Sequence, residues 1–146
     1  MVDGDHGCYA LVDLLMSTLE QLITSATVPW KESEVITKSP VAWLIADAFP
    51  VTSGHVLIVP VELAPHLITQ SMEIAWRMGD EGVQQGAWDG FNVGMNLGVA
   101  AGQTVMYPHV HMIPRRTGDV EDPRGGVRHV IPSKGNYQNA ASHTTK

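Results

Sequence analysis

The run TVMYPHVHMIP, residues 104–114, constrains the fold of this chain more than any other. Thr, Val, Tyr and Ile favour extended backbone, and a strand turns successive side chains to opposite faces. Taken as one long strand, the run places Tyr107, His109 and His111 on one face and Val110 and Met112 on the other. The apolar alternates belong to a core. Two imidazoles two residues apart are thereby held at fixed spacing on a rigid element, which suits a reactive site better than a mobile loop does.

The rest of the chain supplies partners for such a strand. SEVITKS (33–39) and VAWLIAD (41–47) are expected strands punctuated by Ser39-Pro40, and AFPVTSG forms a turn before the buried strand HVLIVPV (55–61). FNVGMN (91–96) is a further strand, and another short one is expected at VRHVI (127–131). Leu67, Ile68, Met72, Ile74, Ala75 and Met78 recur at helical spacing, so the main helix is predicted over 66–85. Gly79 and Gly82 weaken its end, and Gly86 with the Trp88-Asp89-Gly90 turn stops it. ALVDLLMSTLEQLITSA (10–26) predicts an additional N-terminal helix. The fold class is α+β: an antiparallel sheet of about five strands, one main helix and that N-terminal helix. With no internal repeat and no linker, residues 1–25 are expected as a helical extension, 26–137 as the domain and 138–146 as a flexible tail.

Composition excludes several functions. The 146 residues carry a formal net charge of −6, which argues against nucleic-acid and anionic-membrane partners. The acidic start MVDGDHG is unlike a secretory signal, and no run of about 18 apolar residues offers a membrane span. One cysteine, Cys8, forms no internal disulfide, in keeping with a cytoplasmic setting. The charge is uneven: residues 1–108 hold three Lys/Arg against twelve Asp/Glu, whereas 109–146 hold six against three. A small anion therefore has its natural place near the histidines, with Arg115 and Arg116 as candidates for phosphate steering. Upstream, Gly98 and Gly102 in GVAAGQTV allow backbone N–H groups to turn toward a phosphate, although the Lys-Ser/Thr of a Walker loop is missing.

At these residues the sequence resembles the histidine triad (HIT) family, whose signature is three histidines separated by single apolar residues after GQS or GQT. GQTV is intact here, the second and third histidines fall on His109 and His111, and Tyr107 stands in place of the first. ADAFPVTSGHVLIVP and DGFNVGMNLGVAAGQTV resemble two further family segments, and MIPRRTGDVEDPRGGVRHVIP resembles the ending of bacterial members. The similarity covers roughly residues 30–137.

The resemblance implies a HIT-like fold and a nucleotidyl hydrolase without a cofactor or metal. It makes His109 the nucleophile at the α-phosphorus of an adenosine-type phosphoramidate or adenylate, with His111 and His55 completing the imidazole cluster. A neutral imidazole is required, and an ordinary histidine pKa of about 6.5 provides it at neutral pH. Asp47 would bond the ribose hydroxyls, and Asn96, Gln103 and Thr104 the phosphate or leaving group. Trp43 and Ile45 are candidates for the base pocket. Tyr107 would replace a supporting hydrogen bond while the main chain still orients His109. Arg124 and Arg128 order the C-terminal loop or reach the substrate; sequence does not separate these. A homodimer is the expected assembly, on the wide apolar arc of the helix that carries Ile74, Trp76 and Met78. Two other readings stay open: dinucleoside polyphosphate hydrolysis, and nucleotide or metal binding without turnover.

Overall fold

A computed structural model describes residues 28–138 of the chain. Its strands are β1 (Val35–Lys38), β2 (Ala42–Ala46), β3 (Val56–Pro60), β4 (Gly90–Gly94) and β5 (Val110–Arg115), and its one α-helix, α1, is Pro65–Gln84. All strand pairs are antiparallel, in the spatial order β1-β2-β3-β5-β4. The five-stranded sheet and main helix are those expected from sequence. The helix expected over 10–26 and the tail beyond 138 lie outside the described residues.

Alternation along β3 and β5 divides the molecule into two apolar layers. Val56, Ile58, Val110 and Met112 face α1 and pack with Ala42 and Ala75. Leu57, Val59 and Ile45 face the other way, with Leu63 and Tyr107. Leu57 is the register partner of His111, so the histidine face is the one turned away from the helix.

Gly79 and Gly82 do not end α1; they let other residues approach it. A Cβ on Gly79 would lie 2.2 Å from the Phe91 ring, and one on Gly82 would lie 1.9 Å from the Trp88 ring. Trp88 also donates its Nε1–H to the Gly79 carbonyl at 2.8 Å. Packing thus outweighs the propensity cost of about 1 kcal/mol per glycine. The helix stops at Gly86, where φ is +71°. The Gly86 and Ala87 amides bond the Val83 and Gly82 carbonyls there, at 3.1 and 2.8 Å.

Two strand expectations need correction. The strand at 104–114 begins only at Val110: its last register partners are Ile58 of β3 and Gly94 of β4, opposite Val110 and His111, and although β3 runs on to Pro60 against β2, Pro108 has no N–H to extend the ladder. Tyr107 and His109 approach the sheet as buried loop residues instead. VRHVI is not a strand: Gly126–Val130 is a 3-10 helix entered through Gly125 at φ +95°. The Arg128 amide bonds Gly125 O at 2.9 Å and the Ile131 amide bonds Arg128 O at 3.1 Å, so local bonds replace a sheet partner.

Candidate active site

His55, His109 and His111 reach one place by three routes. β5 carries His111, and the incoming loop carries His109. His55 precedes β3, behind a turn that is anchored from two sides. Thr52 donates its hydroxyl to Pro114 O at 2.7 Å, and Arg116 donates to Ser53 O at 3.2 Å. Gly54 has φ +90°, and a Cβ there would lie 3.1 Å from Pro114 Cγ. Only glycine adopts this conformation freely with β5 so close. The His111 ring is central, its centroid 5.0 Å from that of His109 and 5.2 Å from that of His55.

Hydrogen bonds assign the proton on each ring. Nδ1 of His109 is 2.8 Å from Tyr107 O. A carbonyl only accepts, so Nδ1 carries the hydrogen and Nε2 carries a lone pair. The Val51 amide donates to His55 Nδ1 at 3.3 Å. His55 in its neutral form therefore holds its hydrogen on Nε2 and donates to His111 Nδ1, 2.9 Å away. The His111 hydrogen is left on Nε2, a buried atom with no partner among the described residues. The site thus holds one lone pair, on His109, and one free donor, on His111.

Electrostatics keep the supporting rings neutral. Burial, with the neighbouring His109 and His55, pulls the His111 pKa down to about 4 against the pull of Asp47. Burial lowers that of His55 too, again opposed by Asp47.

The structure brings Asp47 to this cluster. One carboxylate oxygen accepts from the Phe49 amide at 2.8 Å. The other lies 3.5 Å from His55 Nε2 and 3.9 Å from His111 Nδ1. Asp47, His55 and His111 each offer an atom within 4.8 Å of the others, so this trio is the place among the described residues where a divalent ion would find three ligands.

The other candidates separate. Asn96 shares with His55 and His111 the lining of a cavity of about 380 Å³. Gln103 is engaged within its loop, accepting from the Gly98 amide at 2.7 Å and donating to Val105 O at 3.0 Å. Thr104 is exposed beside it. The phenol of Tyr107 does not support His109; it donates to Pro60 O at 2.8 Å, in the buried layer. Arg115 is bound to Asp119 at 2.7 and 2.8 Å and to Asn92 Oδ1 at 2.7 Å. A larger cavity of about 520 Å³ borders Arg115, Arg116 and Asp119 but touches none of the three histidines. Arg124 pairs with Asp122, and Arg128 bonds the carbonyls of Lys134 and Gly135, so both order the C-terminal loop.

Ile45 is 1% exposed and belongs to the core, not to a base pocket. Sequence reasoning missed Trp30, whose ring stands edge-on to His109 with centroids 5.3 Å apart and to Tyr107 at 6.3 Å. A lone tryptophan far upstream carries no signal of that contact.

With this geometry established, the relatives can be compared. The chain belongs to the HIT domain family, whose pattern matches residues 29–118. It is 29% identical over 103 residues to the bis(5′-adenosyl)-triphosphatase of Dictyostelium discoideum, covering 64% of this chain and 69% of that protein. It is 33% identical over 97 residues to the asymmetrical bis(5′-nucleosyl)-tetraphosphatase of Schizosaccharomyces pombe, covering 62% and 53%. An adenylylsulfatase of Arabidopsis thaliana is 32% identical over 82 residues, covering 51% and 42%. The chain thus spans about half the length of the second of these relatives and less of the third. Among solved structures, a zinc-bound histidine triad family protein from Mycobacterium smegmatis superposes with a TM-score of 0.53 at 25% identity, covering 75% of this chain and 87% of that one.

Proposed function

We propose that this chain is a nucleotidyl hydrolase that cleaves at the α-phosphate of an adenosine-type phosphoramidate or adenylate through a covalent intermediate on His109. One observation carries the reading: the bond from His109 Nδ1 to Tyr107 O leaves the Nε2 lone pair on a fixed, buried ring beside two neutral imidazoles. The named hydrolase activities of the family relatives support the reaction class.

In the first step the His109 Nε2 lone pair forms an N–P bond and the bond from phosphorus to the leaving group breaks. A carboxylate or phosphate departs with the bonding pair as an anion. An amine departs neutral, its nitrogen having taken a proton from water beforehand, because His111 with a pKa of about 4 is a hydrogen-bond donor and not a stored acid. Its Nε2–H donates to a phosphate oxygen, where charge develops. In the second step water attacks phosphorus, the N–P bond breaks, the nucleoside monophosphate leaves and one proton passes to solvent. Splitting the displacement in two lowers each barrier. Asp47 receives the ribose hydroxyls, Asn96 and Thr104 contact the phosphate or leaving group, and Gln103 shapes the glycine loop around them. Arg116 is the candidate for phosphate steering.

The half-exposed Trp76 on α1, 57% accessible, supports a homodimer formed through the helix, which light scattering at high protein concentration tests. The single cysteine supports a cytoplasmic setting.

The test is rapid quenching with a radiolabelled adenosine phosphoramidate followed by peptide mapping. Label on His109 that appears and decays at the turnover rate is the expected result; label elsewhere overturns the assignment. The Asp47–His55–His111 trio favours one rival reading, a metal-dependent site. Turnover abolished by a chelator and restored by zinc would support that rival.

A further inference from the structure

We infer that Trp30 is a positioning residue for the proposed nucleophile: its indole holds the plane of the His109 ring, so that the Nε2 lone pair stays on the line of attack. This role rests on the reading of His109 as nucleophile and adds to it a residue from a distant part of the chain.

The need for such a residue follows from where His109 sits. β5 begins at Val110, so strand geometry directs His111 but not His109, which arrives on the incoming loop. The bond from Nδ1 to Tyr107 O fixes one corner of the ring and its tautomer. The plane is not fixed by that bond, because a ring held at one nitrogen still rocks about it. The Nε2 lone pair lies in the ring plane, so rocking swings it away from phosphorus. Attack in line tolerates little of this, since misplacing a reacting group by about 1 Å costs about a hundredfold in rate.

Packing supplies what the hydrogen bond leaves free. The His111 ring stands 5.0 Å from that of His109 between centroids, with 62° between their planes. The Trp30 ring stands at 5.3 Å, with 71°. Edge-to-face pairs at such distances are favourable, and tilting the imidazole spoils both at once. His109 is 7% exposed, so contacts of this kind enclose most of the ring.

Trp30 is itself held. Its ring meets that of Tyr107 at 6.3 Å and 88°, and the Tyr107 phenol is tied to Pro60 O in the buried layer. With Val28 and Val35 it packs against Ile45, Leu57, Val59 and Leu63. Directly after it the chain closes a turn: the Lys31 amide donates to Glu34 Oε2 at 2.8 Å, and the Glu34 amide to Lys31 O at 2.9 Å. That turn delivers Val35 to its register partner Ile45. Tryptophan is a stiff side chain with few torsions, which suits a brace. Tyr107 is thus a platform for Trp30, and Trp30 steadies the ring that reacts.

The experiment follows single turnovers of the full chain, in excess over a radiolabelled adenosine 5′-phosphoramidate, beside steady-state kinetics and thermal melts. Trp30→Ala and Trp30→Leu, the second keeping apolar bulk without an aromatic ring, are each expected to lower the rate constant at saturating enzyme by about tenfold or more, with KM within about threefold of the parent. Trp30→Phe restores the rate constant to within about threefold of the parent. Leu63→Ala takes packing from the same layer; it lowers the melting temperature and leaves the rate constant within about threefold. Lost fold lowers the fraction of molecules that react, whereas a misaligned ring lowers the rate constant of every folded molecule. An unchanged rate constant in the folded Trp30 variants, or an equal loss in Leu63→Ala, overturns the inference. So does a raised KM at unchanged kcat, which would make Trp30 a substrate contact. Label trapped on His109 of the parent together with any of these results leaves the hydrolase reading standing. Absence of label on His109 removes that reading, and the role of Trp30 with it.

Discussion

Nδ1 of His109 stands 2.8 Å from the main-chain carbonyl of Tyr107, two residues earlier in the same chain. A backbone atom therefore sets the tautomer of the proposed nucleophile, and no side chain at position 107 is needed for it. Replacing His109 by Ala removes the lone pair and is expected to lower kcat by roughly a thousandfold or more, with loss of the trapped intermediate in the quench experiment.

Tyr107→Phe separates the carbonyl from the phenol. The carbonyl still holds His109, so kcat/KM is expected to stay within about threefold of the parent. Stability falls by about 1–3 kcal/mol, because the phenol's hydrogen bond to the buried Pro60 carbonyl is lost. Chemical denaturation beside steady-state kinetics checks both halves. A large loss of rate at unchanged stability would contradict the account.

Acid pH should weaken the fold through His111. Its pKa is lowered from an ordinary 6.5 to about 4, so between those values the unfolded chain holds the proton and the folded chain does not. Stability is fully present above about 6.5, is lost as pH falls toward 4, and then levels. His55, also lowered, adds in the same direction. His111→Asn should show a shallower loss over this window in thermal melts taken at a series of pH values.

Gly54→Ala tests the turn that delivers His55. The substitution forces a side chain into φ +90° with its Cβ 3.1 Å from Pro114 Cγ. A destabilisation of about 1–2 kcal/mol is expected. Turnover should fall by more than stability alone explains, because the His55–His111 bond shifts with the turn. Unchanged kinetics would show that this bond does not matter to the reaction.

Chelation is expected to leave turnover unchanged. His55 Nε2 and His111 Nδ1 are already joined at 2.9 Å, and a metal would have to break that bond to coordinate both. Added zinc should instead inhibit, and Asp47→Asn should weaken that inhibition, read as the shift in the zinc concentration giving half-maximal activity.

Much of the molecule was legible in the chain itself. The alternation in VHMIP and the continuous apolar run VLIVP define strands that bury one or both faces, and their residues occupy the two layers as that pattern requires. The spacing of Leu67, Met72, Ala75 and Met78 located α1 within a residue at either end. Errors arose where partners decide. Residues 104–109 do not join the sheet although β3 runs on to Pro60, so where the pairing with β5 stops is a matter of tertiary register that no local pattern encodes. The helix passes through Gly79 and Gly82 because Phe91 and Trp88, twelve and six residues further along the chain, fill the space above them. Ile45 points into the core and Trp30 onto His109 for similar reasons of distant packing.

For the site, sequence alone determined which chemical groups are present and the two-residue spacing of His109 and His111, whereas the loop that brings the His109 ring to 5.0 Å from that of His111 is a product of the fold. Only the tertiary structure decided which ring nitrogen carries each proton, that the Tyr107 phenol turns to Pro60, and that a cavity opens between His111 and valines from the C-terminal 3-10 helix. Protonation, orientation and cavity shape depend on atoms brought together from distant parts of the chain, and those contacts exist only after folding.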